Sequence, residues 1–448
     1  MFYVLEFMKL LFVNLPPWSV ESPPIIVSYL DAIVSKDKTI KSEIYDLNLE
    51  LFLLSEEETK TIWKKQKCKY WEKEVFDHPK LSELLKILIS KKADIVCFVG
   101  TMFSISLLNK ISYELKKQNQ SIKILIGGKI AKEEYSNKIE KSLIDFIIYG
   151  EAENILIDVI KGNFKSNKLN VVQENNLITF STKVSPSLKN INFPNYEKFR
   201  LEKYEDQKRL PIFFSRGCKK NCAFCSDKKE YNLFKIRDPK NVVDEIINNY
   251  IKYERTDYHV CDLIINGDMS FLERFLDLLN KKNIKISWAG QATIRKEMTL
   301  DLLKKLRMSG CHNIAYGVES FSDNVLKHMD KDYSSSEAIT VIKNTKFAGI
   351  NVGINLLVGF PGEKKEDIDI TIDLLEKYSM FIDQVNSINI FSIQVGCFVS
   401  KYPDKFDIKF QKNLDWTAKY SNNKESRVKR LNKLVNVCKK NGLIPEWV

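Results

Sequence analysis

The positions of apolar and polar residues divide the chain into two series in which strands alternate with helices. In the first series, short apolar runs alternate with stretches of helical spacing. The predicted strands are Lys9–Asn14, Ser42–Asp46, Ala93–Gly100, Ile122–Gly128 and Ile144–Gly150, and the predicted helices are 23–35, 104–117 and 131–142. Because such alternation favours a parallel sheet covered by helices, residues 1–161 are predicted to form a doubly wound α/β domain.

The second series predicts six further strand–helix units over residues 208–395. Strands are predicted at 211–214, 257–263, 285–290, 312–318, 351–358 and 384–391, and helices at 240–252, 269–281, 299–309, 335–348 and 365–378. The polar stretch 162–207, which contains Pro186 and Pro194, is interpreted as a linker. Residues 396–448 are expected to form a helical extension whose basic run, 427–430, lies on a solvated face.

Composition narrows the class of protein. The chain has 448 residues, of which 44% are apolar, which is enough for more than one buried core. No apolar run reaches the roughly 18 residues of a membrane span, and residues 1–13 lack the features of a signal peptide. We therefore expect a cytoplasmic protein with no membrane contact. The net charge of +12 comes largely from lysine in a chain rich in Ile and Asn, so nucleic acid is not the expected partner.

Three cysteines stand in one short segment directly after a predicted strand. Cys218, Cys222 and Cys225 are separated by three and two residues, whereas the other six of the nine cysteines are scattered and form no disulfide framework. Three thiolates are one fewer than a closed structural zinc or iron–sulfur site uses, so a metal held here keeps one coordination position open. The alternative is a structural zinc site whose fourth ligand lies elsewhere in the chain.

This spacing, with the aromatic Phe224 just before the last cysteine, resembles the cluster loop of the radical S-adenosylmethionine (SAM) superfamily. In that family three cysteines hold a [4Fe–4S] cluster. Its fourth iron binds the amino and carboxylate groups of SAM and reduces the sulfonium, which releases a 5′-deoxyadenosyl radical. The resemblance implies a partial (β/α)6 barrel for residues 208–395, with cofactors at the carboxyl ends of the strands. It also implies an electron donor such as a flavodoxin or ferredoxin.

The resemblance further implies SAM contacts near the ends of the predicted barrel strands. The residues concerned are Phe224, Asp262, Gln291, Arg295, Glu319, Gly359 and Phe391. Asp262 stands where the family binds the SAM amino group, although the usual Gly-Gly-Glu is absent. Two positions have structural alternatives: Glu319 as a salt-bridge partner, and Gly359–Glu363 as only a turn and helix cap.

The first domain resembles the cobalamin-binding domain that precedes the barrel in one branch of that superfamily. The matching segments are the Pro-Pro-Trp turn, Asp46-Leu-Asn48, Thr101–Ser104, Gly127-Gly128 and Asp145–Glu151. The cobalamin contacts that the resemblance implies are Pro17, Trp18, Thr101, Ser104, Gly127, Gly128, Gly150 and Glu151. Because no histidine precedes His78, a bound cobalamin is expected to lack a histidine on its lower face. The alternative is a flavodoxin-like domain without a cofactor.

Together these resemblances imply a cobalamin-dependent radical SAM enzyme and favour a methyltransferase acting on an unactivated carbon of a small molecule or peptide. No motif marks the substrate or a catalytic acid or base. The same cofactors also serve rearrangement and cyclisation, so these stay open. A methylthiotransferase acting on RNA is disfavoured, because the first domain has only Cys68 and Cys97 and no small RNA-binding barrel follows. The non-enzymatic alternative is a corrinoid- or redox-responsive binding protein.

Overall fold

The structure, a computed structural model, describes residues 7–64, 76–132, 137–227, 233–411 and 415–444. The chain divides into two compact units, Met1–Pro211 and Ile212–Val448. Within the residues described, neither unit contains a helix that is long and apolar enough to cross a membrane.

The first unit is built on a seven-stranded sheet. Its strands are β1 (Met8–Asn14), β2 (Ile40–Asp46), β3 (Ile95–Val99), β4 (Lys123–Gly127), β5 (Phe146–Tyr149), β6 (Leu169–Glu174) and β7 (Leu177–Thr182). They stand in the order β2-β1-β3-β4-β5-β7-β6, and all neighbours are parallel except β6 and β7. The order of the first five is that of a flavodoxin-like doubly wound sheet, which confirms the predicted α/β class.

Helices connect the parallel strands and cover their apolar side chains. Their bounds are Ile25–Val34, Leu47–Leu54, Glu57–Lys64, Leu81–Ser90, Ile105–Gln118 and Leu156–Ile160. Strand β3 is buried at every position, as expected for a central strand that is covered on both faces.

One predicted helix, 131–142, does not form in the described part of this segment. Gly128–Ala131 and Lys141–Leu143 are single 3₁₀ turns, and residues 133–136 lie outside the described residues. Of the described residues between 128 and 143, only Ile130, Ala131 and Ile139 are buried. The residues described in this segment therefore offer no continuous apolar stripe that could hold a long helix against the sheet.

The register of the first sheet brings the carboxyl ends of its strands level with one another. Asn14, the last residue of β1, lies opposite Asp46 of β2 and Val99 of β3, and Val99 lies opposite Gly127 of β4. The loops that begin at these four positions therefore leave the same edge of the sheet. Between β1 and β3 the strand order reverses, and sheets of this kind bind ligands at that point.

The stretch 162–207 is not a simple linker, because it contributes ordered structure to the first unit. It supplies the hairpin β6–β7, whose turn places Asn175 in the left-handed region at φ +54°. Lys198 and Asn195 then bind the carboxylate of Asp31, in helix Ile25–Val34, at 2.6 and 3.0 Å. The polar composition misled the prediction because β6 is an edge strand, in which even Val172 is 56% exposed.

The second unit contains a six-stranded sheet with a sequential strand order. Its strands are β8 (Arg209–Ile212, within which the two units divide), β11 (Asp257–Val260), β12 (Ser287–Ala292), β13 (Cys311–Glu319), β14 (Asn351–Val358) and β15 (Gln384–Ile390). Its helices are Pro239–Tyr253, Met269–Asn280, Leu300–Met308, Asp323–His328, Ser335–Phe347 and Lys365–Tyr378. Strands β11 to β15 pair in parallel, which is the arrangement of the predicted partial (β/α)6 barrel.

The remaining elements of the second unit are short strands and two C-terminal helices. They are β9 (Ser215–Arg216), β10 (Lys235–Ile236), β16 (Lys409–Phe410), β17 (Trp416–Thr417) and helices Phe398–Lys401 and Lys424–Lys440. The N–H of Val385 in β15 donates to the carbonyl of Leu443 at 2.7 Å. The predicted helical C-terminal region therefore satisfies part of the open edge of the sheet.

The buried carboxylate of Asp31 provides a test of how the stretch 162–207 is held. Besides Lys198 and Asn195, it accepts a hydrogen bond from Ser42 at 2.8 Å. Asp31→Ala leaves the Lys198 ammonium without its carboxylate partner, and we expect the free energy of unfolding, measured by urea titration, to fall by about 3 kcal/mol. The matched control is Asp37→Ala, which removes a partly exposed carboxylate paired with the exposed Lys161 and should cost less. Equal losses would contradict this prediction.

Candidate active site

The three cysteines of the sequence motif lie in a loop that is closed at its base. Strands β9 and β10 form a short antiparallel ladder, and the loop between them carries Cys218, Cys222 and Cys225. All three are half-buried, and none of them forms a disulfide. The sequence predicts the thiols but not the ladder, because strands of two residues show no hydrophobic periodicity.

The backbone of Ala223, between the second and third cysteines, is hydrogen bonded on both sides. Its N–H donates to the carbonyl of Met329 at 2.9 Å, and its carbonyl accepts from the N–H of Val399 at 3.1 Å. The position of the loop is therefore fixed by two segments distant in sequence, namely the end of helix Asp323–His328 and the C-terminal region.

Phe224 and Phe391 belong to one apolar cluster that also contains Ala223. Phe224 packs on this cluster in a partly buried position. Phe391 is 3% exposed, and its ring centroid lies 5.0 Å from that of Phe360 and 5.6 Å from that of Trp416. The structure thus places Phe391 in a packed core. From the sequence we expected it to lie beside an open adenine site.

Asp262 is buried just after β11, and both of its carboxylate oxygens have partners. Oδ1 accepts from the N–H of Phe214 at 2.7 Å, and Oδ2 accepts from the hydroxyl of Ser215. Burial raises the pKa of Asp262 to about 7, although these hydrogen bonds oppose the rise. Asp262 therefore holds the segment that leads into the cysteine loop, which differs from the expected contact with the SAM amino group.

Gln291 and Arg295 lie near the carboxyl end of β12, but only Gln291 is exposed. The guanidinium of Arg295 donates to the carbonyl of Asn266 at 3.2 Å and pairs with Glu297 at 2.8 Å. Arg295 thus joins the loops that follow β11 and β12, while Gln291 stays available to a ligand.

The end of β13 holds an ion pair in an uncommon backbone conformation. Glu319 has a φ of +66°, and its carboxylate lies 3.5 Å from the ammonium of Lys331. A Cβ at Gly317 would lie 2.9 Å from Glu319 Oε1, so the glycine makes room for this side chain. Burial raises the pKa of Glu319, and the charge of Lys331 opposes the rise. The salt-bridge partner that the sequence left open is therefore Lys331, and such backbone conformations cluster at functional sites.

The turn after β14 is tied to the C-terminal helix Lys424–Lys440. Gly359 adopts the left-handed conformation at φ +77°, and its N–H donates to Glu363 Oε1 at 2.9 Å. The same oxygen accepts from the guanidinium of Arg430 at 2.9 Å. Burial raises the pKa of Glu363 to about 7 against the opposing charge of Arg430. A Cβ at Gly359 would lie 2.5 Å from Arg427 Cγ, so a larger residue does not fit here.

The basic run 427–430 is not a solvated helix face, because two of its side chains turn inward. Arg427 is 3% exposed, lies 3.9 Å above the ring of Trp416 and pairs with Asp415 at 2.9 Å. Arg430, three residues later and hence on the same face, pairs with Glu363. Lys429 lies on the exposed side of the same helix. The prediction failed because a charge run shows neither which face is buried nor where its counter-charges lie.

In the first unit, the loops at the level strand ends are joined by buried hydrogen bonds. Ser104 Oγ donates to the carbonyl of Pro16 at 2.6 Å and accepts from the N–H of Thr101 at 3.0 Å. Ser104 is fully buried and fixes the Pro16–Pro17 turn, so it does not face a ligand. The resemblance had implied a contact between Ser104 and cobalamin. The hydroxyl of Thr101 caps the short turn Met102–Ser104.

Trp18 is held firmly by its backbone, but its indole N–H has no acceptor. The Asn48 side chain accepts from the Trp18 N–H at 3.0 Å and donates to its carbonyl at 3.3 Å. The same Asn48 oxygen accepts from Trp63 Nε1 at 3.2 Å. Within the described part of the chain, Trp18 Nε1 is buried without a partner, at a typical cost of about 1–3 kcal/mol. A ligand that brings an acceptor to this loop fits the site.

Two glycines leave space at the ends of β4 and β5. Gly128 and Gly150 have φ values of +72° and +76°, and a Cβ at either would meet nothing within 4 Å. A Cβ at Gly127 would make only an ordinary contact, 3.8 Å from a backbone oxygen. Glu151, in contrast, accepts a hydrogen bond from Ser185 at 2.5 Å.

The residues present fit the two implied cofactors on different grounds. Three cysteine side chains in one loop, none of them in a disulfide, are the ligands that iron–sulfur clusters use. No group of three or more His, Cys, Asp or Glu side chains is preformed to hold a metal ion, at least over the described ranges, so thiol chemistry carries the fit. For a corrinoid, the fit rests on the unpaired Trp18 Nε1 and on the space beside Gly128 and Gly150.

Sequence reasoning missed two residues that support the end of β13. Lys331 Nζ donates to the carbonyl of Gly317 at 3.0 Å, and the Tyr333 hydroxyl donates to the same carbonyl at 2.9 Å. Both follow helix Asp323–His328, which has only six residues and is too short to show periodicity. No signal in the sequence marked them.

Residues 212–375 match the family model described as the radical SAM superfamily. The matched segment begins at the end of β8 and reaches into the helix that follows β14. It therefore contains the cysteine loop, the Glu319–Lys331 pair and the Gly359 turn.

Known proteins resemble larger parts of the chain. An uncharacterized methyltransferase of Pyrococcus horikoshii is 23% identical over 66% of this chain and 67% of its own length. For the next three curated relatives, the alignment spans only 39 to 54% of their length. The radical SAM methyltransferase TsrM of Kitasatospora setae, solved with cobalamin and a [4Fe–4S] cluster, has a TM-score of 0.65 at 11% identity, over 91% of this chain and 80% of that one.

A second solved structure shares the fold. The cobalamin-dependent radical SAM enzyme OxsB, with aqua-cobalamin bound, has a TM-score of 0.64 at 17% identity and covers 90% of this chain and 55% of that one. At these identities, the two likenesses concern the fold alone.

The raised pKa of Asp262 predicts a pH dependence of stability. An unfolded Asp loses its proton near pH 4, whereas Asp262 in the folded chain keeps it to about pH 7. Its stabilising contribution is therefore complete below about pH 4 and is lost as the pH rises through about 7. Asp262→Asn should remove this part of the dependence, as measured by chemical unfolding across that window. Asp301→Asn, at an exposed position, should leave the profile as it is, and an unchanged slope in Asp262→Asn would count against the prediction.

Proposed function

Residues 212–375 form a domain of the radical SAM superfamily, and from this premise we propose that the protein is a cobalamin-dependent radical SAM methyltransferase. Its substrate is a small molecule or peptide that is methylated at an unactivated carbon, and a flavodoxin or ferredoxin supplies electrons. One observation carries the proposal: a three-cysteine loop on a sequential parallel sheet shares its chain with a doubly wound sheet of order β2-β1-β3-β4-β5.

In the second unit, the chain holds the reacting groups and shields them from water. Cys218, Cys222 and Cys225 bind a [4Fe–4S] cluster through their thiolates, on the loop that the Ala223 hydrogen bonds fix. When bound, this cluster supplies the electron that cleaves SAM to methionine and a 5′-deoxyadenosyl radical. Phe224 packs beside the last cysteine and limits the access of water.

The SAM contacts divide into residues that touch SAM and residues that support them. Glu319 and Gln291 offer polar groups at strand ends, whereas the Gly359 turn supports the site through its contacts with Glu363 and Arg427. Asp262, Arg295 and Phe391 hold the cysteine loop and its neighbouring loops, because their polar groups or ring faces are engaged within the protein.

The first unit is proposed to bind cobalamin at the edge between β1 and β3. Its likeness in fold to TsrM and OxsB, both solved with cobalamin, supports this assignment. The unpaired N–H of Trp18 and the space beside Gly128 and Gly150 support it independently. When bound, cobalamin supplies the methyl group. The segment Asn14–Trp18 contains no histidine, so Pro17 and Trp18 would contact a bound corrinoid without supplying a ligand to its cobalt.

Methylation is favoured over cyclisation and rearrangement by the likeness of two thirds of the chain to the uncharacterized methyltransferase of Pyrococcus horikoshii. The product distinguishes them, since methylation adds one carbon to the substrate and the other reactions do not. A methylthiotransferase needs a second three-cysteine site. Among the residues of the first unit only Cys68 and Cys97 are cysteines, Cys97 is buried in β3, and Cys68 lies outside the described residues.

Replacing Cys222 with Ala should abolish cluster assembly. After anaerobic reconstitution with iron and sulfide, the wild type should show cluster absorbance and produce 5′-deoxyadenosine from SAM and a reductant. In Cys222→Ala we expect that product to fall by at least about 100-fold, because even residues that only orient metal ligands contribute about 10- to 100-fold. Cys261→Ala, which removes an exposed thiol of the same unit, is the control and should keep both properties. A wild-type protein that holds the cluster but yields no 5′-deoxyadenosine refutes the enzymatic proposal.

Replacing Trp18 with Phe should weaken corrinoid binding without destabilising the chain. The variant loses a buried donor that has no protein acceptor, so the thermal midpoint should stay or rise. The affinity for hydroxocobalamin, followed by visible absorbance, should fall about tenfold, which corresponds to about 1.4 kcal/mol. Trp63→Phe is the matched control, because Trp63 Nε1 already donates to Asn48; it should lose stability and keep more of its affinity. Equal affinities in wild type and Trp18→Phe would contradict this use of the indole N–H.

A further inference from the structure

Two short helical segments after β15 present large side chains to the solvent. The exposed members are Phe398, Lys401, Tyr402 and Lys405, which we name the aromatic–lysine face. Phe398 and Tyr402 are 43% and 46% exposed. Aromatic rings are enriched where proteins meet their partners, so two neighbouring exposed rings indicate an interaction surface.

The side chains of this face hold one another in place. The ring centroids of Phe398 and Tyr402 lie 4.8 Å apart, and the Lys405 ammonium lies 5.4 Å from the first centroid and 4.8 Å from the second. Phe398 also contacts Phe406 at 6.1 Å between centroids, and Phe406 packs on the apolar cluster that contains Ala223. The face is therefore preformed, and ordering it costs a docking partner little entropy.

The segment that carries this face has an excess of positive charge. Lys401, Lys405 and Lys409 are exposed, and within the described ranges none of them has a carboxylate at ion-pair distance. Of the two aspartates in segment 398–411, Asp407 already forms an ion pair with a lysine farther along the chain. A single aspartate is thus left opposite three lysines. Because interfaces pair potentials of opposite sign, the partner that fits here is acidic.

The aromatic–lysine face adjoins the loop that carries the thiols. Val399, the neighbour of Phe398 in the chain, donates its N–H to the carbonyl of Ala223 at 3.1 Å, and Ala223 stands between the second and third cysteines. The hydroxyl of Ser226, directly after the third cysteine, donates to Gln394 Oε1 at 2.5 Å. One hydrogen bond and a few covalent bonds therefore connect this surface to a cysteine sulfur. Electron transfer is fast only over short separations, which favours this surface for an electron donor.

We propose that the aromatic–lysine face is the docking site of the acidic electron-transfer protein that serves the cysteine loop. The inference rests on the proposed function and deepens it by naming the surface that this partner meets. One electron passes from the reduced partner to the cluster that the three cysteines hold, and no atom moves with it. The two rings supply the apolar centre of the interface, and the lysines steer the acidic partner toward it.

Binding tests the proposal without turnover. Dissociation constants for purified flavodoxin and purified ferredoxin, both acidic probes, are measured by isothermal titration calorimetry. Lys401→Glu/Lys405→Glu reverses two exposed charges and should weaken the tighter of the two complexes by at least about tenfold. Tyr402→Ala removes one ring and should weaken it about five- to tenfold. The affinity of the wild type should itself fall about tenfold between about 50 and about 300 mM salt, because exposed charges are screened.

Production of 5′-deoxyadenosine then separates docking from chemistry. With dithionite, a small reductant that needs no docking surface, both variants should equal the wild type. With the reduced protein donor, the charge-reversed variant should lose at least about tenfold in rate at low salt. The matched control is Lys281→Glu/Lys282→Glu, which makes the same change of charge at exposed positions after helix Met269–Asn280. Because that helix ends at the amino ends of the strands, the control should equal the wild type with both reductants.

The contrary outcomes distinguish this proposal from the proposed function. If dithionite supports the reaction and the charge reversal leaves binding and donor-driven rate unchanged, the docking proposal alone is overturned. An equal loss in the control overturns it too, since net charge would then explain the effect. A wild type that yields no 5′-deoxyadenosine with dithionite overturns the proposed function.

Two further measurements cover misfolding and a different partner. If the charge-reversed variant has a lowered thermal midpoint, Lys401→Gln/Lys405→Gln is measured instead and should weaken binding by about threefold; an unchanged affinity overturns the proposal. A basic face with aromatic rings also suits single-stranded nucleic acid. If the variants lose affinity for a single-stranded RNA oligonucleotide and keep it for both donors, the face serves nucleic acid and the proposal is overturned.

Discussion

The two hydrogen bonds of the Ala223 backbone are the constraint on which the candidate cluster site depends. A loop with three half-buried thiols has little apolar surface of its own, and its base is a ladder of two residues on each side. Contacts with Met329 and Val399 therefore decide where the thiols lie. The first contact ties the loop to the end of β13, because Met329 lies two residues before Lys331, whose ammonium donates to the carbonyl of Gly317. The second contact ties the loop to the region after β15. The strand ends, the loop and the C-terminal region consequently behave as one assembly in the second unit.

Buried carboxylates join loops in both units. Asp46 accepts from Asn14 at 2.8 Å and from Tyr204 at 2.6 Å, and burial raises its pKa against those hydrogen bonds. Asp262 and Glu363 do the same at the ends of barrel strands. Each of these groups is costly to bury alone, and each becomes a rigid connection once donors from two different segments meet it. Precise placement of loops, which a radical reaction needs, follows from that cost.

The alternation of strands and helices was predictable because it depends on apolar periodicity, which local sequence carries. The thiols of Cys218, Cys222 and Cys225 were likewise visible, since their spacing is itself the signal. What local sequence could not show was partnership across long separations. The basic run 427–430 was predicted to be solvated, because the partners of its two arginines are recognisable only in the folded chain. These partners are Asp415, Trp416 and Glu363. The hairpin β6–β7 was predicted to be part of a linker, because an edge strand buries few side chains. Lys331 was missed because a single lysine in a short loop forms no sequence pattern.

The anchoring of the cysteine loop by Val399 has a consequence for the order of events during protein synthesis. Val399 is synthesised long after Cys225, by an interval of roughly ten to thirty seconds at ordinary elongation rates. During that interval the thiols belong to a loop that lacks one of its two backbone supports. Delivery of iron and sulfide to a loop that is held by both supports therefore has to wait until Val399 has been made.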